Sequence, residues 1–301
     1  MEKASNIPRP FVKWAGGKGR LLETYAPLLP DDFLREDDAV YIEPFVGGGA
    51  MLFYLLNRYG NIRRAIINDI NLHLIKCYRM VKNNPARLIK SLTSVQGDYR
   101  KLENENDRKD FFLEKRRRFN ECNLSDVEVA TLVIFLNRTC FNGLYRENSK
   151  GEFNVPFGRY TNPTICNPDL IMADHEILQR VEILHGDFSQ VQHYVNRRSF
   201  VYFDPPYRPV SATSYFNSYT KESFGDGEQI RLKNFIDLIK ETGCTIALSN
   251  SDSHVNTVGP LGFFEELYRG YDIVRVQASR SINADASGRG ERAELLIRNY
   301  F

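Results

Sequence analysis

Residues 39–69 read AVYIEPFVGGGAMLFYLLNRYGNIRRAIIND. Residues 39–46 predict a buried strand, and the apolar run after Gly47–Gly49 predicts a helix that ends at Gly60. The apolar segment 64–69 then predicts a second strand. A strand, a glycine turn, a helix and a strand in this order indicate the start of an open α/β sheet.

Later segments also have the apolar composition and length of strands. These are residues 181–187, 199–206, 244–250, 271–278 and 293–300. Helical patterns lie between the last of them, at 226–242 and near 261–269, and the first of these patterns stops at Gly243. Strands that alternate with helices predict a mostly parallel sheet that is covered on both faces.

The middle of the chain interrupts this alternation with charged, helical patterns. One of these patterns begins with a capping box, in which Glu128 follows Ser125 by three positions. A hairpin is predicted next, with Asn148–Gly151 as its turn. The predicted domains are a sheet domain of residues 1–74 and 166–301 and an inserted domain of residues 75–165.

Composition narrows the class of protein only slightly. The chain has 301 residues and a formal net charge of +2, so any basic surface for nucleic acid is expected to be local. The cysteines form no C-x-x-C pair and the histidines have no zinc-ligand spacing, so we expect neither a disulfide framework nor a metal site. No signal-peptide pattern and no apolar run of ~18 residues occurs, which predicts a cytoplasmic protein without a membrane span.

The segment Asp204-Pro205-Pro206-Tyr207 directly follows the apolar run 199–203. Prolines cannot donate ladder hydrogen bonds, so the strand must stop and the carbonyl groups of Asp204 and Pro205 are left free to accept. The carboxyl end of a strand is also where open α/β sheets bind ligands. The alternative interpretation is a proline-terminated strand followed by a surface turn.

This set of groups suits chemistry on a planar amine. Such an amine is a poor nucleophile, because its lone pair is delocalised into the ring. Acceptors on both N–H bonds would favour a pyramidal nitrogen, while the ring of Tyr207 stacks on the base. An electrophilic methyl group placed in line could then be attacked directly, with the rate arising from positioning and electrostatics.

The glycine turn at Gly47–Gly49 has an acidic partner in Asp69. That residue ends the next predicted strand, roughly twenty residues later, where a carboxylate commonly binds a ribose diol. The third glycine of G-x-G-x-x-G is missing, which weighs against a nicotinamide cofactor. Glu43 would repel a pyrophosphate but tolerate a positively charged cofactor such as S-adenosylmethionine. Tight packing alone is the other explanation of the glycines.

Residues 13–18 read KWAGGK and precede a predicted helix over 20–29. A helix N-terminus together with Lys18 favours an anion such as an amino-acid carboxylate. A capped helix with Trp14 packed in the core explains the segment equally well.

Residues 137–160 interleave basic residues with apolar ones. The basic ones are Arg138, Arg146, Lys150 and Arg159, and the apolar ones are Phe141, Leu144, Tyr145, Phe153 and Phe157. This mixture suits duplex DNA, because arginine binds guanine bidentately and an apolar side chain can wedge into the base stack. Composition alone favours an amphipathic hairpin packed on its own domain, and it favours a solvated helix face for Lys115–Arg118 over a phosphate contact.

Several short motifs together identify a resemblance that runs almost end to end. In chain order they are KWAGGK (13–18), EPFVGGG (43–49), INDIN (67–71), TCFNGLYRENSKGEFNVPFGRY (139–160), GDF (186–188), VYFDPPY (201–207) and LSNS (248–251). On these motifs the chain resembles the Dam-type DNA adenine methyltransferases, and most of all the modification enzymes of GATC-specific restriction systems.

The resemblance implies a Rossmann-like methyltransferase sheet with an inserted target-recognition domain, and S-adenosylmethionine as the cofactor without a metal. The cofactor positions it implies are Trp14, Lys18, Phe45, Gly47, Asp69, Asp187, Phe188 and Asp204. Asp187 would accept from the adenine amine of the cofactor. The flipped target adenine would lie against the catalytic positions Asp204, Pro205, Pro206 and Tyr207.

The resemblance also implies which residues contact double-stranded DNA. Lys13 and Arg146 would contact guanine, Phe141 and Leu144 the base step, and Pro156 the thymine methyl group. Arg138 and Asn142 are further DNA-binding candidates in the same segment. Because the motifs in 139–160 are intact, we expect GATC as the target. We also expect a monomeric enzyme. A restriction endonuclease that shares the target site would be a functional partner, and an orphan role stays open.

Three other functions are compatible with parts of the sequence. Methylation of a planar amine in RNA or in a protein glutamine would use the same D-P-P-Y chemistry, although the basic and aromatic hairpin favours duplex DNA. A non-catalytic DNA-binding regulator would have a damaged D-P-P-Y segment or no Lys18, and both are intact. A nucleotide-dependent oxidoreductase is disfavoured by the missing third glycine.

Overall fold

The computed structural model describes residues 7–208, 224–251, 262–277 and 293–301. Within these ranges seven strands form one sheet, in the order β3-β2-β1-β4-β5-β7-β6. The strands are β1 (Val40–Glu43), β2 (Arg64–Ile67), β3 (Val181–Ile183), β4 (Ser199–Phe203), β5 (Thr245–Ser251), β6 (Asp272–Gln277) and β7 (Ala293–Arg298). The basic loop 279–292 lies outside the described residues.

The sheet is mostly parallel, as predicted. All pairs from β3 through β5 are parallel, and β7 is antiparallel to both of its neighbours, β5 and β6. The strand order reverses between β1 and β4, because the chain moves outward through β2 and β3 and returns on the other side of β1. In open α/β sheets, ligands bind at the carboxyl ends of strands beside such a reversal.

Ten α-helices occur in the described residues. They are α1 (Leu22–Tyr25), α2 (Asp31–Leu34), α3 (Ala50–Arg58), α4 (Leu72–Asn83), α5 (Pro85–Arg100), α6 (Glu105–Phe119), α7 (Asp126–Thr139), α8 (Pro168–Leu178), α9 (Asp226–Lys240) and α10 (Phe263–Leu267). Shorter 3₁₀ helices cover Lys18–Arg20, Ala26–Leu28, Phe141–Gly143 and Phe188–Tyr194. None of the described helices is long and apolar enough to cross a membrane.

Local signals predicted the start of α7 correctly but failed over residues 20–29. The capping box is confirmed, because the backbone N–H of Ser125 donates to Glu128 Oε2 at 3.0 Å. The single helix predicted over 20–29 is wrong, since that stretch divides into short α and 3₁₀ pieces. Pro27 explains the break, because it has no N–H to donate and its ring clashes with the carbonyl group four residues earlier.

The predicted hairpin is present only in part. Its turn forms, with the N–H of Gly151 donating to the carbonyl of Asn148 at 2.9 Å. The two arms do not form regular strands, and they are joined by isolated bridges at Glu147–Phe153 and at Cys140–Phe157. Turn chemistry is local and predictable, whereas the pairing of the arms depends on how they pack on α6 and α7.

The two faces of the sheet carry two hydrophobic cores. Neighbouring strand residues point to opposite faces, so Tyr41 joins a large cluster with Tyr99 and Phe135, and Ile42 joins a second cluster with Ile236. The large cluster continues from the sheet into α4–α7. The predicted boundary after residue 74 falls inside α4, which packs on both α7 and α8. The division into two domains therefore stays a prediction.

Candidate active site

Predicted site residues follow four neighbouring strands at one edge of the sheet. Gly47 comes after β1, Asp69 after β2, Asp187 after β3 and Asp204 after β4. Because these strands are parallel and adjacent, their carboxyl ends lie side by side. The fold thus brings segments that are far apart in sequence to the same edge.

A buried cluster surrounds the ammonium group of Lys18, which is only 3% exposed. Its Nζ lies 3.1 Å from Asp204 Oδ1 and 3.2 Å from Glu294 Oε2. It also donates to the hydroxyl of Tyr207, whose ring centroid is 4.4 Å away. Burial alone would lower the pKa of Lys18, but the carboxylates of Asp204 and Glu294 outweigh it and raise that pKa. The lysine is therefore a fixed positive charge.

The carboxylate of Asp204 is held from one side. Its Oδ1 accepts from Ser249 Oγ at 2.9 Å. The Oγ of Ser249 in turn accepts from the hydroxyl of Tyr202 at 3.0 Å. Burial raises the pKa of Asp204, and the charge of Lys18 opposes this rise. Among the described residues no donor reaches Asp204 Oδ2 or the carbonyl of Pro205. Two acceptors are therefore left for a ligand.

Helix α9 supports the next residue of the D-P-P-Y segment. The fully buried Gln229 donates to the carbonyl of Pro206 at 3.3 Å and accepts from Asn250 Nδ2 at 3.4 Å. The ring of Pro206 is exposed. A side-chain amide thus satisfies the carbonyl group of Pro206 beyond the end of β4.

The glycine turn after β1 is joined to Asp69. The N–H of Gly47 donates to Asp69 Oδ2 at 3.0 Å, and the N–H of Asn71 donates to Oδ1 at 2.8 Å. Burial raises the pKa of Asp69, while these backbone donors lower it. Each carboxylate oxygen has one donor and further acceptor capacity, which fits the ribose diol of S-adenosylmethionine.

A neighbouring side chain leaves no space for a Cβ at Gly47. Its φ of +48° is left-handed, and a Cβ added there would lie 2.9 Å from Trp14 Cδ1. The same indole ring stacks on Tyr145, with ring centroids 5.4 Å apart and an interplanar angle of 26°. Trp14 therefore connects the glycine turn with the segment predicted to bind DNA.

An aromatic pair and an ion pair lie after β1 and β3. The rings of Phe45 and Phe188 are 5.4 Å apart. Arg231 Nη1 and Nη2 donate to the two oxygens of Asp187 at 3.1 and 2.7 Å, and its guanidinium lies 4.1 Å from the Phe188 ring. The hydrogen bonds from Arg231 lower the pKa of Asp187 to about 2. A cofactor amine that binds Asp187 would therefore share the carboxylate oxygens of Asp187 with Arg231.

The backbone of Lys13 is bound to the predicted DNA-contacting segment. The buried side chain of Asn137 accepts from the N–H of Lys13 and donates to its carbonyl, both at 2.8 Å, and it also donates to the carbonyl of Gly143 at 2.8 Å. The N–H of Phe141 donates to the carbonyl of Pro156 at 2.9 Å. Phe141 is 52% exposed and Pro156 is exposed, so they form a surface pair.

The remaining residues of this segment differ in exposure. Asn142 is exposed and has a left-handed φ of 54°. Leu144 is partly buried against the core, and Arg146 Nε donates to Asn154 Oδ1 at 2.7 Å. The bond to Asn154 fixes the direction of the Arg146 guanidinium.

Arg138 is partly buried, and its side chain bonds to the protein backbone. Its Nη2 donates to the carbonyl of Phe11 at 2.7 Å, and burial lowers its pKa. The guanidinium therefore joins the N-terminal segment to α7. A role of Arg138 in DNA binding stays a prediction.

Sequence reasoning missed the residues that support the site from a distance. These are Glu294, Gln229, Arg231 and Asn137, together with Ser249, which belonged to a recognised motif but had no assigned role. Each of them acts on a partner far along the chain, so the spacing of neighbouring residues does not reveal its role. No group of histidine, cysteine or acidic residues in the described part of the chain could hold a metal ion.

Comparisons with known proteins agree on one family. A model described as D12 class N6 adenine-specific DNA methyltransferase matches residues 14–282. The Type II methyltransferase M.MjaIII of Methanocaldococcus jannaschii is 46% identical over 296 residues, which cover 97% of this chain and 99% of that protein. The Type II methyltransferase M1.LlaDCHI of Lactococcus lactis subsp. cremoris is 40% identical over 297 residues, covering 97% and 95%.

A DNA adenine methylase is also among the relatives. That of Haemophilus influenzae is 34% identical over 289 residues, covering 96% of this chain and 92% of that protein. The family model covers β1–β6 and the helices between them, and the mostly parallel sheet is a Rossmann-like methyltransferase sheet. The chain belongs to the D12 class of N6 adenine-specific DNA methyltransferases.

Proposed function

We propose that this DNA adenine methyltransferase modifies N6 of adenine within GATC in duplex DNA, by flipping the base into the site and transferring the methyl group directly. The observation that carries the proposal is the buried cluster of Lys18, Asp204 and Tyr207 at the carboxyl end of β4. It combines hydrogen-bond acceptors with an aromatic ring next to the strand-order reversal.

When bound, S-adenosylmethionine supplies an electrophilic methyl group on a sulfonium. The residues that would hold it include Asp69 for the ribose, with Trp14 and Gly47 shaping the turn. The aromatic pair of Phe45 and Phe188 would contact the adenine ring. Arg231 already donates to both carboxylate oxygens of Asp187. Asp187 would therefore accept from the cofactor amine while it stays bound to Arg231.

Lys18 has a restricted choice of partners. An ammonium group has three N–H donors, and three acceptors already surround Lys18 within the cluster. A contact to the cofactor carboxylate would therefore replace one of them. Without that exchange, Lys18 stabilises the charge of Asp204 and the position of the Tyr207 hydroxyl.

The chain's own groups account for activation of the amine. Asp204 Oδ2 and the carbonyl of Pro205 would accept from the two N–H bonds, and Tyr207 would stack on the base. Fixed acceptors of this kind favour the pyramidal nitrogen of the transition state without needing to reorganise. Asp204 need not act as a strong base, because the amine loses its proton readily once it is alkylated.

Target recognition would use the surface beside Asn137. Lys13 and Arg146 would bind guanine, Phe141 and Leu144 would enter the base step, and Pro156 would contact the thymine methyl group. The hydrogen bonds of Asn137 hold the backbone of Lys13 against this segment. Flipping the adenine costs a few kcal/mol, which contacts of this kind can offset.

Genome-wide mapping of modified adenines tests this function. The gene would be expressed in a host without DNA methylation, beside Asp204→Ala as an inactive control. We expect N6-methyladenine at GATC sites with the wild-type protein and none with the variant. Modification of a different sequence would contradict the GATC assignment, and label from a tritiated donor only on RNA or protein would contradict the substrate. Elution of the purified protein as a monomer would support the expected oligomeric state. A restriction endonuclease that cleaves the same DNA site would be the functional partner of the enzyme.

A further inference from the structure

Glu294 is the second carboxylate of the Lys18 cluster, and no motif or comparison assigns it a role. Its side chain is 12% exposed. It accepts from the Tyr207 hydroxyl, which lies 2.7 Å from both of its carboxylate oxygens, and it lies 3.2 Å from Lys18 Nζ. Charge-assisted hydrogen bonds of this length in a buried site restrain both partners.

The direction of β7 explains how this residue reaches the site. β7 is antiparallel to β5, so its first residues lie at the edge where the parallel strands end. Glu294 pairs in register with Ser251, two residues after Ser249, which donates to Asp204. Because side chains alternate between faces, Glu294 shares a face with Leu296 of the large core.

The hydroxyl of Tyr207 is held from both sides. It accepts from Lys18 and donates to Glu294, so its single proton and its oxygen are both engaged. A tyrosine anchored at the far end of its ring cannot rotate freely about its two side-chain torsions. The plane of the ring is therefore set before a base stacks on it, which removes an ordering penalty from binding.

We propose that Glu294 is a positioning residue, which orients the Tyr207 ring for stacking on the flipped adenine and shares the charge of Lys18 with Asp204. The inference rests on the proposed role of the D-P-P-Y segment. Glu294 acts through Tyr207 and Lys18, and it needs no contact with the substrate.

A double-mutant cycle tests this inference. Wild type, Glu294→Gln, Tyr207→Phe and the double variant would be compared in single-turnover methyl transfer to a GATC duplex. We expect each single change to lower the rate about tenfold, and the double variant to lose clearly less than the product of the two single losses, because the shared hydrogen bond is already lost in either single variant. The dissociation constant of S-adenosylmethionine, measured by calorimetry, should change less than about threefold.

The chain contains a matched control. Glu182 on β3 also accepts from a tyrosine hydroxyl, that of Tyr194 at 2.6 Å, and pairs with Arg64 at 3.0 Å, but it lies outside the site. Glu182→Gln should transfer methyl groups at the wild-type rate. If Glu294→Gln does not fold, Glu294→Asp completes the same cycle.

Two outcomes would overturn the inference. One is a wild-type rate for Glu294→Gln, and the other is a double variant whose loss equals the product of the single losses. Asp204→Ala, measured in parallel, separates this failure from that of the proposed function. Normal turnover by Asp204→Ala would refute the D-P-P-Y mechanism itself. An inactive Asp204→Ala together with a normal Glu294→Gln would refute only the positioning role of Glu294.

Discussion

Gly47 combines two structural requirements in one residue. Its N–H donates to Asp69, and the position of its missing Cβ is filled by the indole of Trp14. Since Trp14 is the single tryptophan of the chain, its fluorescence reports directly on this contact. Asp204 has a comparable position, because it is bound to Lys18 on one side and keeps acceptor capacity on the other.

Gly47→Ala should weaken cofactor binding. The added Cβ would clash with Trp14, and a left-handed φ costs a residue with a side chain about 1–2 kcal/mol. We expect an affinity for S-adenosylmethionine about tenfold lower, with a shift in tryptophan emission. Gly60→Ala is the control, because no atom lies within 4 Å of a Cβ built there. Unchanged affinity and emission in Gly47→Ala would refute the shared role.

Asp204→Ala should abolish methyl transfer while the protein stays folded. Removing one preorganised group from a transition state commonly lowers the rate by about 10²–10³. Lys18 would keep Glu294 as a partner, so its buried charge is not left alone. Transfer from a tritiated donor and circular dichroism check the two halves of this prediction. Loss of the folded spectrum, or a normal rate, would show that Asp204 has another role.

At the scale of elements, α8 binds the N-terminal segment through a buried acid. Asp174 is fully buried, and its Oδ1 accepts from the N–H of Arg9 at 3.0 Å. Its Oδ2 has no partner among the described residues. Burial raises the pKa of Asp174 to about 8, so the folded state prefers the protonated acid. The unfolded chain instead ionises it near pH 4.

Asp174→Asn should therefore stabilise the protein increasingly as the pH rises. Because the pKa of Asp174 is higher in the folded state than in the unfolded state, its contribution to the free energy of unfolding is fully present below about pH 4. That contribution is lost as the pH rises towards 8, by at most about 1.4 kcal/mol per pH unit. The variant has no such loss. Urea unfolding at pH 5, 6.5, 8 and 9 should show a difference from wild type that grows and then levels off. Asp169→Asn on the same helix is exposed and should show no comparable growth; a constant difference for Asp174→Asn would contradict the prediction.

At the scale of the whole molecule, the N-terminal segment joins the catalytic edge to the proposed DNA surface. Trp14 contacts the glycine turn and Tyr145, and Lys13 is bound to Asn137. The large hydrophobic core also runs through both regions. The two surfaces are therefore parts of one packed unit, yet the groups that would touch DNA and cofactor are different.

Phe141→Ala should separate the two functions. Loss of one base-step contact is expected to weaken binding of a GATC duplex about tenfold, while the affinity for S-adenosylmethionine stays within about twofold of wild type. Fluorescence anisotropy and calorimetry measure these two quantities. Leu238→Ala is the matched control, because Leu238 is 54% exposed and Phe141 is 52% exposed. Equal losses for both ligands would contradict the separation.

Local patterns determined a large part of this protein. The apolar segments predicted the strands, the capping box of Ser125 and Glu128 predicted the start of α7, and the two prolines after Phe203 predicted where β4 ends. Each of these features depends on the dihedral angles and hydrogen bonds of residues within one turn or one strand. The motif series also predicted the family, because it preserves the chemistry of the site along the whole chain.

Tertiary structure alone decided which groups meet. Glu294 contacts Lys18 across 276 positions, Ser249 reaches Asp204 across 45, and Asn137 binds Lys13 across 124. The guanidinium of Arg138, a DNA-binding candidate, donates to the carbonyl of Phe11 across 127 positions. These contacts follow from strand order, strand direction and burial, which are set by the packing of the complete chain and leave no trace in the spacing of nearby residues.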